Sequence, residues 1–163
     1  MSWKNQLRED PLPWLLESGD PGVRYLALRD LLDLPPDDQK LKSARKAAHK
    51  EGPIAAVLAK MNEEGYWVTP GPGYNPKYRS TVWSMILLAQ LGASMNEDKR
   101  IEQACNYLLD HMAEGGLFTS TTSGAPSGTI DCLQGNLVWS LMELGCDDPR
   151  LEKAYEWMAR TVT

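Results

Sequence analysis

Five aromatic residues, Trp67, Tyr74, Tyr78, Trp83 and Trp139, fall on or beside the loop-facing ends of two strongly apolar segments. Large rings bury much apolar area at little conformational cost, so such a set can line a cavity for an apolar small molecule. Lys77 and Arg79 flank Tyr78 and would meet an anionic group such as a diphosphate at the start of a helix from Ser80, where backbone N–H groups point outward. The competing reading makes the same rings core residues of a helical array. Acid–base chemistry finds fewer candidates. Asp37-Asp38 and Asp147-Asp148 stand where helices begin and read as caps, and His111 reads as an exposed histidine at a helix C-terminus. No general acid or base has a visible partner in the sequence.

The elements that must position these residues are helices. No run alternates with strand periodicity while being rich in Val, Ile and Thr, which gives an all-α fold. Asp20-Pro21 and Asp148-Pro149 each set a capping acid before a proline suited to the first turn, while Leu34-Pro35-Pro36 and Gly52-Pro53 punctuate the chain. Helices are expected at 11–18, 21–33, 36–50, 53–62, 79–92, 98–113, 130–145 and 149–162. Segments 98–113 and 149–162 carry a single apolar stripe and should have one face in water. Segments 79–92 and 130–145 are apolar around most of their circumference and should be enclosed on nearly every side.

The chain also copies itself at a spacing of about fifty residues, the mark of a stacked array. Gly65-Tyr66-Trp67 returns as Gly116-Leu117-Phe118, Leu91-Gly92 as Leu144-Gly145, and Asp98-Lys99-Arg100-Ile101-Glu102 as Asp148-Pro149-Arg150-Leu151-Glu152. Ile101, Ala104, Cys105, Leu108, Leu109 and Met112 have counterparts in Leu151, Ala154, Tyr155, Met158, Ala159 and Val162. A weaker copy, Asp38-Gln39-Lys40-Leu41 with Ala44, makes three helix pairs: 21–62, 63–113 and 114–162. One domain over residues 1–163 follows, with two long loops, 63–78 and 114–129, at the same end of the array. The part of the second from Thr119 to Thr129, rich in Ser, Thr and Gly, reads as mobile.

Composition narrows the partners. Of 163 residues, 42% are hydrophobic and 24% charged, ordinary for a folded soluble chain. A net charge of -5 with scattered lysines and arginines leaves no basic stripe for nucleic acid. No apolar stretch is long enough to span a bilayer, and the polar start Met1-Ser2-Trp3-Lys4-Asn5 is unlike a signal peptide, so a cytoplasmic location is expected. Three cysteines without paired spacing argue against a disulfide framework, and Cys105, on an apolar stripe, reads as a small buried hydrophobe.

A helix ending in Asn62-Glu63-Glu64, then Gly65-Tyr66-Trp67, then a loop into a buried helix bearing Trp83, with the weaker Gly116-Leu117-Phe118 copy, resembles a known pattern. It is similar to the Gly-x-aromatic repeat of squalene and other terpenoid cyclases and of the protein prenyltransferase β subunits, over roughly residues 53–162. The resemblance implies helical-hairpin repeats forming an α/α toroid. Three repeats supply about half of such a ring, so an open arc with an exposed apolar end is expected, satisfied by a homodimer or by missing C-terminal repeats. The aromatic set would then enclose an isoprenoid, its π-faces able to stabilise a carbocation.

The family's chemistry transfers poorly. No Asp-x-Asp-Asp cluster of the cyclase kind is present. The prenyltransferase zinc site, an Asp-x-Cys pair after a Gly-Gly-Leu loop, finds only Asp131-Cys132 after Gly115-Gly116-Leu117. Adjacency puts those two side chains about 100° apart on a helix, so capping by Asp131 and packing by Cys132 are the preferred reading and neither zinc nor magnesium is expected. With no intact catalytic motif, two functions stand: an isoprenoid-binding domain, or a non-catalytic scaffold for protein contacts.

Overall fold

The structure, a computed structural model, describes residues 6–17 and 19–161. Its regular elements are helical, with an isolated bridge between Ala113 and Leu117 as the β pairing among the described residues, so the all-α expectation holds. In chain order the helices are α1 (Leu12–Leu15), α2 (Pro21–Leu26, continued by a π turn Ala27–Leu31), α3 (Gln39–Ala48), α4 (Pro53–Leu58), α5 (Thr81–Gln90), α6 (Lys99–Asp110), α7 (Asp131–Glu143) and α8 (Arg150–Thr161). Ser18 and Val162, at the ends of expected helices, lie outside the described residues, as does the Met1–Asn5 start.

Acidic side chains cap four of these eight starts. The Asp20 carboxylate accepts from the N–H groups of Gly22 and Val23, Asp38 from Lys40 and Leu41, Asp98 from Arg100, and Asp148 from Arg150, at 2.7–3.2 Å. Each such cap is typically worth about 1 kcal/mol. Helix α4 ends at Leu58, short of the expected 62. There the Lys60 and Met61 N–H groups turn back to Val57 and Leu58 carbonyls, tightening the last turn and ending the helix.

The chain divides into two compact units, Met1–Ala55 and Ala56–Thr163. In the first, α2 packs on α3 around Tyr25, Leu28, Leu41 and Ala44, and the Arg29 and Arg45 guanidinium groups lie 5.5 and 5.7 Å from the Tyr25 ring centre. In the second, α5 packs on α6 and α7, and α7 on α8. The α6 stripe of Ile101, Ala104, Cys105, Leu108 and Leu109 is buried throughout, as its spacing requires.

The expectation for α5 and α7 needs correction. Leu87 is 42% exposed, Trp139 46% and Met142 51%, so neither helix is enclosed on nearly every side. Within this unit α5 is flanked by α6 and α7 and α7 by α5 and α8, and an apolar edge of each is left open.

The copied sequence pieces adopt matching local geometry. Asn62 N–H donates to Tyr66 O and Gly65 N–H to Asn62 O (2.7 and 3.0 Å), and the same two bonds, at the same lengths, join Ala113 to Leu117 and Gly116 to Ala113. Gly65 and Gly116 both have positive φ (97° and 78°), and a Cβ on either would press into the second helix onward, α6 at Gln103 or α8 at Lys153. A third pair of bonds, Ala93 N–H to Leu88 O and Cys146 N–H to Leu141 O, both 2.9 Å, closes the ends of α5 and α7.

Candidate functional site

The loop between α4 and α5 is fixed at several points, and those anchors build the site. Trp67 is held from two sides: its backbone N–H donates to Thr81 Oγ1 (3.1 Å), and its indole Nε1–H donates to the Val57 carbonyl (2.9 Å). The Gly73 carbonyl accepts from Val82 N–H (3.0 Å) and from the Ser80 hydroxyl (2.7 Å). Gly73 has φ 74°, and a Cβ there would fall 2.7 Å from Thr81 Cβ, so a side chain would drive the loop off the start of α5. Trp83 Nε1–H donates to Tyr74 O (2.8 Å), and the rings of Tyr74 and Tyr78 rest on Trp83 at centroid distances of 5.4 and 4.9 Å.

These contacts leave a cavity of about 550 Å³ between the second half of α4 and α5. Val57, Val68, Leu87 and the rings of Trp67, Tyr78 and Trp83 supply its apolar lining, and Lys60 and Arg79 its charge. Both indole N–H groups are already spent on backbone carbonyls, so the tryptophans offer ring surface rather than donors. Two lining residues, Val68 (φ 69°) and Tyr78 (φ 64°), hold left-handed backbone. For a β-branched valine that conformation is a real strain, on the order of 1–3 kcal/mol, and strain of this kind concentrates at functional sites.

Of the residues singled out in the sequence, Trp67, Tyr78, Arg79 and Trp83 line this one cavity. Tyr74 stands behind Trp83, and Lys77 Nζ lies 5.7 Å from the Tyr74 ring centre instead of lining the cavity. Trp139 does not line it; it sits on α7 with nearly half its surface in solvent. The diphosphate seat expected at the start of α5 is also corrected. Ser80 is fully buried, and its hydroxyl and the Val82 N–H are both taken by the Gly73 carbonyl, which closes that helix end. Lys60 is the residue the sequence reading missed. Its signal lay in the helix before the Gly-x-Trp motif, whose last turn must lie against the loop that Trp67 anchors.

Asp131 and Cys132 are both exposed: Ile130, not Asp131, is the N-cap of α7, and Leu133 and Gln134 take the buried face. Capping by Asp131 and packing by Cys132 are therefore both corrected. Among the described residues no three His, Cys, Asp or Glu side chains are grouped to hold a metal ion. The buried Cys105 thiol is pushed up by its hydrogen bond to Cys146 and by burial, and the same bond lowers the half-buried Cys146. His111 caps the C-terminus of α6, its ring stacked on Tyr107 at 4.1 Å and its Nδ1 2.8 Å from the Tyr107 carbonyl.

The loop 119–129 is closed on itself rather than extended. Ser120 N–H and Oγ both reach Gly128 O (2.9 Å each), Thr119 Oγ1 donates to Ala125 O (2.7 Å), and Ala125 N–H donates back to Thr121 Oγ1 (2.9 Å). It adjoins the first loop, since a Cβ on Gly71 would lie 3.9 Å from Thr122 O. No helix is long and apolar enough to cross a membrane among the described residues. Compared with known proteins, the chain gives no significant match to any family model, curated protein or solved structure.

Proposed function

We propose that residues 56–163 form helical-hairpin repeats of the terpenoid cyclase and prenyltransferase kind, and that the cavity at Trp67, Tyr78 and Trp83 binds an apolar small molecule of isoprenoid type. The single observation that carries this reading is the cavity itself, whose volume of about 550 Å³ lies in the range of small-molecule sites. The matched turns at Gly65 and Gly116, each followed by an aromatic residue anchored to the next helix, support the repeat architecture. Binding, not turnover, is the proposed activity.

The test is a fluorescence titration with farnesol, a neutral isoprenoid. Saturable quenching or blue shift is expected, and Trp83→Ala should weaken binding about tenfold, the loss of one aromatic face. Trp139→Phe, remote from the cavity, should bind as the parent does. No spectral change with farnesol, or equal effects of both substitutions, would end this reading.

A second reading rests on a different observation. Trp139, Met142 and Tyr155, all at least 41% exposed, leave apolar surface on α7 and α8, which suits a scaffold that pairs with itself or another protein. Size-exclusion chromatography with light scattering tests self-association, and a monomer at all concentrations counts against the homodimer.

A further inference from the structure

The cavity has an electrostatic character that its aromatic lining does not by itself require. Its charged lining residues are Lys60, in the turn closing α4, and Arg79, just before α5, and none of its lining residues carries a carboxylate. Among the described residues neither cation makes an ion pair, whereas Arg29, Arg100, Arg150 and Arg160 each hold a nearby acid. This contrast matters in a protein of net charge -5, where acids outnumber bases by 22 to 17. Two cations at one apolar mouth, left without acidic partners, create a local positive potential in an otherwise acidic chain.

That potential selects among ligands. An aromatic enclosure alone would also suit an organic cation, but a quaternary or primary ammonium here would face Lys60 and Arg79 with no carboxylate to offset the repulsion. A neutral molecule could accept hydrogen bonds from these residues but would gain no attraction between net charges. An anionic oxygen group would gain charge-assisted hydrogen bonds from both, with the planar Arg79 guanidinium able to grip it through two parallel N–H donors. Resting on the cavity reading above, we infer that the ligand is an amphiphile whose apolar body lies on Trp67, Trp83 and Leu87 and whose carboxylate or phosphate head is held by Lys60 and Arg79.

The experiment compares four ligands with one apolar body: decanol, decanoate, decyl phosphate and decylamine, titrated by tryptophan fluorescence at low and high salt. Decanoate or decyl phosphate should bind at least about tenfold more tightly than decanol at low salt, with the advantage shrinking as salt screens the exposed cations. Whichever of the two binds tighter names the head group. The double substitution Lys60→Gln with Arg79→Gln should remove the preference and leave decanol binding intact, which also shows that the variant is folded. Equal binding of decanol and the anions, or tighter binding of decylamine, overturns the anionic head group while the cavity reading stands. Failure of all four to bind overturns both.

Discussion

The Gln134 side-chain amide closes on the backbone of Phe118, accepting from its N–H (3.0 Å) and donating to its carbonyl (2.7 Å), with both residues buried. The amide thus stands in for a strand partner that this all-helical unit lacks. Thr81 performs half of the same task for Trp67, accepting the N–H alone (3.1 Å). Leaving a buried backbone group unpaired costs about 1–3 kcal/mol. Gln134→Leu, which strands two such groups, should therefore lower unfolding free energy by about 2–4 kcal/mol, and Thr81→Val, which strands one, by about 1–2 kcal/mol. Urea denaturation checks the order; a milder effect for Gln134→Leu would show that Phe118 finds other partners.

Two glycines should respond in opposite directions to alanine. Gly116, at φ 78° and with its missing Cβ only 2.7 Å from Lys153 Cδ, carries both backbone and steric penalties, so Gly116→Ala should destabilise by more than about 1 kcal/mol. Gly135 lies inside α7 with open space where a Cβ would go, and Gly135→Ala should stabilise by about 0.5–1 kcal/mol through helix propensity. Thermal midpoints of the pair are the measurement. A stabilising Gly116→Ala would mean that the Gly-x-aromatic turn does not need its left-handed residue.

Arg150 ties α8 to α6 by bridging Asp148 (2.8 Å) and Asp110 (2.5 Å). Side-chain hydrogen bonds from Arg150, with its backbone N–H, hold the Asp148 carboxyl at about 2, below its ordinary 3.8. A carboxylate depressed in the folded state adds stability that is present above the unfolded value and is lost as pH falls through the folded one. The loss therefore belongs between about pH 4 and pH 2. Asp148 and Arg150 are 23% and 38% exposed, so screening limits the contribution to about 0.2–1 kcal/mol. Asp148→Asn keeps a capping side chain while removing the charge, and its unfolding midpoint should fall less than the parent's over that window. Parallel acid profiles for the two proteins would assign the acid sensitivity elsewhere.

The helices were legible because their punctuation is local: Asp20-Pro21, Asp38, Asp98 and Asp148 cap through bonds that span only two or three residues. Part of the candidate site was legible for a related reason, since Trp67, Tyr78, Arg79 and Trp83 cluster in the sequence and remain together in space. What was not legible depends on long-range approach. Lys60 joins the lining because α4 and α5 flank one cavity, Trp139 stays apart because it lies on α7, and the start of α5 is closed by the carbonyl of Gly73. Periodicity also overstates burial, as an apolar circumference shows what a helix can bury and not how many neighbours it finds; Leu87 and Met142 remain exposed for that reason.

The three cysteines should separate by reactivity, because attack requires both access and thiolate. Cys132 is exposed on the first turn of α7 and should modify first with an aromatic disulfide reagent at neutral pH. Cys146 is half-buried, but its thiol is lowered by the hydrogen bond from Cys105 against an opposing cost of burial, so it should react second once the α7–α8 turn admits the reagent. Cys105 is 1% exposed and raised by that same bond and by burial, leaving it neither accessible nor ionised. Its modification should await unfolding and rise with denaturant in step with loss of helical signal. Cys132→Ser should delete the fast phase alone, whereas a Cys105 that reacts in the native protein would show that the α6 stripe opens independently of global unfolding.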